Sequence, residues 1–254
     1  MALLTDGPVS TAADLQAHDS SILDTARTEG IDLEAKIAIA QRELELQISV
    51  FLLRMGDGGT MGPAGEPDLR KVVVTAGVER WHALLTLAAV YRDAHGSQLN
   101  DRYLARWQQF AKLASETADL AMETGIGAVR APIGRPSAPT VSGSGVAAPG
   151  ISYEIAVAWR SAFGSTSAAS AAAIHDGANG AFPVVSVTGA PPDAAGWDVF
   201  AALAGGVPTR QNAAILSPGS AWTLPDTGLV NGPPAAPGQS PDYYVRRSRG
   251  LRRG

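Results

Sequence analysis

Two amphipathic segments joined by a short polar turn constrain the fold more than any other feature of the sequence. Between residues 79 and 123, apolar side chains recur every three or four positions in each segment, which is the spacing of one helix face. In the connecting stretch HGSQLND, Asn100 or Asp101 can cap the second helix. So short a connection predicts an antiparallel pair of helices and the core of a bundle. The apolar positions are Trp81, Leu84, Leu85, Ala88, Tyr91, Tyr103, Trp107, Phe110, Ala114, Thr117 and Ala121.

A longer helix is predicted for residues 31–55, with Asp32 as its N-cap. A second row of Ile39, Leu46 and Leu53 repeats every seven residues beside the main apolar row. Together the rows make an apolar face wide enough to contact neighbours on two sides, so one helix can supply both a core and a subunit contact. The main row consists of Leu33, Ile37, Ala40, Leu44, Ile48 and Phe51.

The remaining segments of the N-terminal half are less sharply specified. Residues 11–29 fit one weak amphipathic helix or two short ones. Residues 56–67 are rich in glycine and proline and predict a loop, which at that length is often functional or disordered. Residues 69–76 fit a short strand or the start of the next helix, because a β-branched triplet is compatible with both. Gly125 is a plausible C-cap of the last helix.

From residue 126 the periodicity changes from helical to strand-like. Tyr153, Ile155, Val157 and Trp159 alternate with smaller or polar residues, as in a half-buried strand. Short strands separated by Gly/Pro turns predict an antiparallel β-sandwich. The predicted class is therefore α+β, with a helical bundle at 1–125, a Pro/Gly linker with a first β segment at 126–150, a sandwich at 151–230 and an extended arm at 231–254. The strands are predicted at 153–160, 167–174, 182–188, 197–203, 211–216 and 221–224.

Composition excludes several classes of site. The chain has no cysteine, so it has no disulfide, no thiol nucleophile and no cysteine metal site. His18, His82, His95 and His175 lack metal-ligand spacing, and no GxSxG, HExxH or Walker A motif is present. We expect no catalytic, metal or cofactor site. We also expect no secretory signal and no membrane segment, because the N-terminus lacks a basic flank and no apolar run approaches about 20 residues.

The charge is distributed unevenly. Residues 1–125 hold 18 acidic and 11 basic side chains, whereas the last nine residues hold five arginines behind two tyrosines. This tail is either a solubilising end or an arm that docks on an acidic protein surface or on nucleic acid. Lacking alternating aromatic and basic residues, it favours a protein partner, on which it would become ordered. The arm consists of Tyr243, Tyr244, Arg246, Arg247, Arg249, Arg252 and Arg253.

Three stretches make the sequence resemble head–tail connector (adaptor) neck proteins of tailed bacteriophages that carry an appended immunoglobulin- or fibronectin type III-like domain. GIDLEAKIAIAQRELELQI at 30–48 is similar to the first long helix of such connectors, and residues 80–110 resemble their central helical hairpin. WRSAFGSTSAAS at 159–170, with GWDVFAALAGG at 196–206 and SAWTLPDTGL at 220–229, resembles the β-domains that decorate phage structural proteins.

This resemblance implies a structural protein of the virion rather than an enzyme. About a dozen copies would form a ring below the portal protein and contact other neck proteins, and the DNA would pass through the channel without specific binding. A net-acidic lining suits that role because it repels phosphate. The β-domain would be dispensable for assembly, so that a chain ending near Arg130 still joins the ring. The alternative is a tail, baseplate or surface adhesin module whose sandwich binds a glycan or host surface.

Overall fold

The computed structural model describes residues 1–98 and 101–247, in which the chain is α+β with helices first and strands after. It divides into two compact units. The helical unit comprises Gly7–Arg130 and the described residues from Pro241 onward, and the β unit comprises Met1–Asp6 and Ala131–Ser240. These limits differ from the predicted ones at both ends of the chain, since the first six residues join the strands and the last strand joins the helices.

The helical unit is built around one central helix. α4 packs against α1, α2, α3 and α5, so the predicted hairpin of α4 and α5 forms only part of a larger bundle. Residues 11–29 form two short helices rather than one. The helices are α1 (Ala12–His18), α2 (Ile22–Thr28), α3 (Leu33–Met55), α4 (Ala76–Gln98) and α5 (Leu104–Thr124).

The helix ends follow the sequence except at the start of α5. Asp32 caps α3 as predicted, because its carboxylate accepts a 3.0 Å hydrogen bond from the Ala35 N–H. α3 ends at Gly56, whose φ of +61° is left-handed, and α5 ends at Gly125 as predicted. The expected Asp101 cap is wrong. The N-cap of α5 is Tyr103, which makes no side-chain capping bond, and Asp101 instead offers its carbonyl to the Leu104 N–H at 3.2 Å. Asn100 lies outside the described residues.

A small antiparallel sheet completes the helical unit and was not predicted. β1 (Ile126–Ala128) pairs with β9 (Tyr243–Val245), and on its other edge the Val73 N–H donates to the Gly127 carbonyl at 2.9 Å. Residues 69–76 combine parts of both predicted alternatives. After a 3₁₀ turn at Leu69–Lys71, Val72 and Val73 pair with the edge of this sheet, and α4 begins at Ala76. Residues 126–128 are buried, so the linker begins only after them.

The larger segment of the β unit, residues 131–240, is inserted in the sequence between two paired strands of the helical unit. The chain leaves the helical unit after β1 and returns to it just before β9, its antiparallel partner. Residues 131–240 thus occupy the position that a hairpin loop would have. Because β1 and β9 are paired, the two ends of the inserted segment are close together. An insertion of this kind leaves the fold of the host unit intact.

Two antiparallel sheets of the β unit share one hydrophobic core. One sheet has the strand order β2-β5-β8 and the other β4-β3-β6-β7. Trp159 on β3, Trp197 on β6 and Trp222 on β8 all lie in the shared core, together with Val157, Val185 and Val199. The strands are β2 (Thr140–Ser144), β3 (Ser152–Ser161), β4 (Ala173–Asp176), β5 (Phe182–Ser186), β6 (Ala194–Leu203), β7 (Thr209–Arg210) and β8 (Trp222–Thr223).

Two predicted strands do not form at the predicted positions, because side-chain oxygens accept the hydrogen bonds of the neighbouring strand in place of backbone carbonyls. At 167–172 the hydroxyls of Ser167 and Ser170 accept hydrogen bonds from the N–H groups of Trp159 and Val157, and a regular strand begins only at Ala173. At 211–216 the Asn212 side chain accepts from the Val199 N–H at 2.9 Å, so that segment is irregular and β7 lies before it. Such local side-chain bonds compete with a regular ladder.

Candidate assembly surface

Helix α3 uses only one of its two apolar rows inside the chain. Leu44 and Ile48 of the main row are fully buried. Ile39, Leu46 and Leu53 of the second row are 46%, 59% and 58% exposed. Because seven residues fall only about 20° short of two full helical turns, these three side chains lie along one side of the helix. A continuous exposed row of this kind is typical of an interaction surface.

Ile39 and Leu46 of the exposed row line an open groove of about 1070 Å³ in the helical unit. Residues of α3, α4 and α5 line it, and α4, which packs against both other helices, lies between them. The lining is mainly apolar, with small residues along α4 and α5 that leave room for larger side chains from outside. The apolar lining residues are Ile39, Ala40, Leu46, Val50, Phe51, Met55, Trp81, Leu85, Ala88, Ala89, Trp107, Ala111, Ala114, Ala118 and Met122.

Charged residues also line the groove. Glu43, Arg54 and Arg92 contribute from α3 and α4, and Asp119 contributes from α5. Arg247 reaches the same groove from the C-terminal segment, with its guanidinium 3.6 Å from the Asp119 carboxylate and 3.5 Å from the Met122 sulfur. The groove therefore combines an apolar interior with three arginines and two acids.

The structure buries most of the residues that the sequence predicts for the bundle core and subunit contact. Leu33, Leu85 and Trp107 are half-buried, and Trp81, Leu85 and Trp107 also line the groove. Tyr91 and Phe110 stack with ring centroids 5.6 Å apart, and Tyr103 packs 5.9 Å from Tyr91. The buried members of the predicted set are Ile37, Leu44, Ile48, Phe51, Trp81, Tyr91, Tyr103 and Phe110.

The described residues of the predicted C-terminal arm contact their own helical unit, whereas the sequence predicts that they dock on a partner protein. Tyr243 lies over Gly59, where a side chain would collide with the phenol, and its hydroxyl donates to the Asp57 carboxylate at 3.3 Å. The Arg130 guanidinium lies 5.7 Å from the centre of the same ring. Burial, followed by the negative charge of Asp57, raises the pKa of Tyr243 to about 12. Tyr243 thereby ties the glycine-rich loop to the end of the chain.

The other arm residues divide into two groups. Tyr244 is 46% exposed and Arg246 is exposed, whereas Arg247 contacts the groove. The remaining arginines of the predicted arm, Arg249, Arg252 and Arg253, lie outside the described residues. Because β9 is an integral strand of the helical unit, the arm begins after Val245 rather than at residue 231.

His82 and Ser10 form a buried pair that could be mistaken for a nucleophile and its base. The Ser10 hydroxyl lies 2.6 Å from His82 Nδ1, and Nε2 lies 3.2 Å from the Ile37 carbonyl. Since a carbonyl only accepts, Nε2 carries the proton and Nδ1 accepts from Ser10. Burial lowers the pKa of His82 despite the hydrogen bond to Ile37. Both side chains are buried, so the pair fixes α4 to α3 and to the N-terminal segment.

Asp19 forms a second buried polar cluster. Its carboxylate accepts hydrogen bonds from the Tyr91 hydroxyl at 2.5 Å and from Arg106 at 2.7 Å, and Ser21 donates to its other oxygen. Burial by itself would raise the pKa of Asp19, but the hydrogen bonds from Tyr91 and Ser21 and the charge of Arg106 outweigh it and lower the pKa. This cluster joins the turn between α1 and α2 to α4 through Tyr91 and to α5 through Arg106.

Neither buried cluster can be predicted from the sequence, in which His82 is one of four scattered histidines. Asp19 and Arg106 are 87 positions apart, and no local pattern marks such a pair. His175 donates from Nε2 to the Gly180 carbonyl at 2.8 Å, and His95 stacks on Trp107. Across residues 1–98 and 101–247, no cluster of three or more His, Cys, Asp or Glu side chains could hold a metal ion.

None of the helices in the described part of the chain combines the length and apolar composition required to span a bilayer. Comparison of the chain with protein-family models finds no match. No curated protein matches the sequence significantly.

Proposed function

We propose that this protein is a structural component of a tailed-bacteriophage particle, a head–tail connector that assembles as a ring below the portal protein. The helical unit would form the ring, and the β unit would be an immunoglobulin- or fibronectin type III-like sandwich on its surface. The observation that carries this proposal is the open groove beside the exposed row of Ile39, Leu46 and Leu53. It leaves the helical unit with apolar surface that a second helical element would cover.

The energetics of this surface favour self-association. Covering a fully exposed leucine stabilises a complex by about 1.5–3 kcal/mol before the cost of association is subtracted, and a leucine that is half exposed contributes roughly half of that. Leu46 and Leu53 are each more than half exposed and lie two turns apart, so one partner helix can cover both. Such a contact repeated between identical copies generates a closed ring when the rotation between copies divides a full circle.

The charge of the helical half supports a DNA channel. Its 18 acidic and 11 basic side chains give residues 1–125 a net negative charge. A negative lining weakens contact with phosphates, so DNA passes without being held. The two sheets with a shared tryptophan-rich core support a sandwich for the β unit. In this proposal the β unit decorates the neck and takes no part in chemistry.

One observation favours a second candidate, a tail or surface adhesin in which the β unit binds a glycan. Phe163 lies in the turn after β3 and is 88% exposed, and exposed aromatic rings at loop tips suit stacking on sugars. In this case the helices would only anchor the β unit. The two candidates place the protein at opposite ends of the tail.

Antibody labelling of purified virions separates them. A connector is labelled at the head–tail junction, and virions lacking the protein have filled heads without attached tails. Label at the tail tip or on fibres, with heads and tails still joined when the protein is absent, would overturn the connector and support the adhesin.

A further inference from the structure

Helix α5 carries a second exposed apolar patch on the side away from the groove. Leu120 is 61% exposed, and Leu113, seven residues before it, is half-buried because it packs partly against the core of its own helical unit. Ala111 and Ala118 line the groove, and each lies two positions before one of these leucines. Two positions correspond to a rotation of about 200° around the helix. The ridge formed by Leu113 and Leu120 therefore projects nearly opposite to the groove.

The ridge and the groove match in spacing. Leu113 and Leu120 project two helical turns apart, and the groove offers the alanines Ala111 and Ala118 at the same interval. Large side chains of one helix fit between small ones of another when the repeats agree, as in knobs-into-holes packing. The exposed Leu46 on the α3 wall adds apolar surface on the other side of the same space.

The charges around the two surfaces also match. The groove holds Arg54, Arg92 and Arg247 against two acids. The ridge is flanked on α5 by Glu116 and Glu123 and by Lys112, which pairs with Glu116 at 3.8 Å, so its flank carries a net charge of −1. Surfaces of opposite sign favour ridge in groove over groove in groove, since two copies of the groove would bring arginines together.

We propose that the ridge of one copy, formed by Leu113 and Leu120 of α5, packs into the α3–α5 groove of the next copy. This inference rests on the proposed function, because it assumes that copies of the chain assemble. Since the ridge and groove face nearly opposite directions, each contact leaves a free groove on one copy and a free ridge on the other. The contact is therefore head-to-tail, which extends around a ring instead of stopping at a pair.

Cross-linking with single cysteines tests this contact directly, because the natural chain contains no cysteine. Full-length Leu46→Cys and Leu120→Cys proteins are treated with a short bismaleimide, each alone and as an equal mixture. Leu203→Cys, on an exposed residue of the β unit, replaces one partner as the control for random collision. Circular dichroism confirms that each variant is folded.

We expect the Leu46→Cys and Leu120→Cys mixture to give at least tenfold more conjugate than either protein alone or than the Leu203→Cys mixtures. The double variant with both cysteines should give a ladder of higher conjugates. Conjugation of Leu46→Cys with itself would place two grooves face to face and overturn the proposal. A mixture that remains at the level of the Leu203→Cys control would overturn it as well. Virion labelling distinguishes the failure of this contact from the failure of the proposed function. Strong conjugation with label at the tail tip would refute the connector function but not the contact. Label at the neck without conjugation would refute the contact but not the connector function.

Discussion

The backbone N–H of Arg130 donates a 2.8 Å hydrogen bond to the carboxylate of Asp242, although 112 positions separate the two residues. This bond lies at the point where the β unit leaves and re-enters the helical unit. The Asp242 N–H in turn donates to the Ala128 carbonyl at 2.9 Å, which continues the pairing of β1 with β9. Residues 129–130 and 241–242 thus form the base of a hairpin whose connecting segment is residues 131–240, the larger segment of the β unit.

Replacing residues 131–240 with a two-residue turn and starting the chain at Gly7 should leave a folded helical unit. The turn restores the hairpin between β1 and β9, so helical circular dichroism and cooperative unfolding should persist. Simple truncation after Arg130 removes β9 with the buried Val245, and should be less stable by about 2–4 kcal/mol from lost apolar burial and strand pairing. The expectation that a chain ending near Arg130 still assembles therefore needs this modification. Equal stability of the two shortened chains in urea unfolding would contradict the insertion.

Substitution of Asp19 by Asn should destabilise the helical unit by about 2–3 kcal/mol, because Asn cannot replace the charge-assisted bonds from Tyr91 and Arg106. Tyr91→Phe should cost less, about 1–2 kcal/mol, since it removes one hydroxyl and leaves Arg106 in place. The two losses should be less than additive in a double-mutant cycle monitored by urea unfolding. Strict additivity would mean that the two side chains do not interact.

The stability of the helical unit should fall as the pH drops below about 6.5, the ordinary pKa of histidine. Burial lowers the pKa of His82, so the unfolded chain takes up a proton that the folded chain does not. The contribution of neutral His82 is complete above that pH and decreases on acidification. Asp19 also has a lowered pKa, so its contribution is present at neutral pH and is lost in a separate range, below about 4.

Urea unfolding between pH 7.5 and pH 5 measures this effect. His82→Gln should lower the stability at pH 7.5 and reduce its pH dependence over this range. His18→Gln, which changes an exposed histidine of α1, controls for the loss of an imidazole in general. A His82→Gln protein with the wild-type pH dependence would refute the role assigned to His82.

Replacing Tyr243 by Phe should make the glycine-rich loop at 56–67 more sensitive to protease. The phenol hydroxyl is the group that bonds Asp57, and the loop is otherwise held by Thr60, which is buried, and by Lys71, whose ammonium donates to the Gly59 carbonyl at 2.9 Å. Tyr244→Phe is the matched control on the same strand, because Tyr244 is exposed. Limited proteolysis should show faster cleavage in the loop for Tyr243→Phe alone. Similar rates for both variants would indicate that the hydroxyl does not restrain the loop.

The parts of this fold that depend on local periodicity could be predicted, and the parts that depend on distant pairing could not. The rows of α3 and the alternation in β3 are regular, and each fixes both an element and its buried face. Nothing local to Tyr243 or Val245 indicates that they complete a strand with residues 126–128, since three residues carry too little pattern. The exposure of Leu46 and Leu53 could not be predicted either, because a second apolar row in a sequence does not show whether the same chain covers it.

The deletion that tests the arginine tail must likewise respect β9. Removing residues 243–254 would unfold part of the small sheet and confuse two effects, so the cut belongs after Arg247. If the tail docks on an acidic partner, that shorter deletion should weaken attachment to the capsid at low salt. Attachment of the intact protein should itself weaken as ionic strength rises, because salt screens the arginine contacts. Attachment that is unaffected by the deletion at every salt concentration would leave the tail as a solubilising end.

The central claim is that the α3–α5 groove makes the protein assemble with copies of itself, and the mass of the purified full-length protein in solution tests it most directly. Native mass spectrometry of the wild-type chain should give a closed particle of many copies, seen as a ring in electron micrographs. Leu46→Glu, which places a charge on the wall of the groove, should give the mass of a single folded chain. A wild-type protein that stays a single chain at every concentration, or a Leu46→Glu protein that still forms the full ring, would contradict the account.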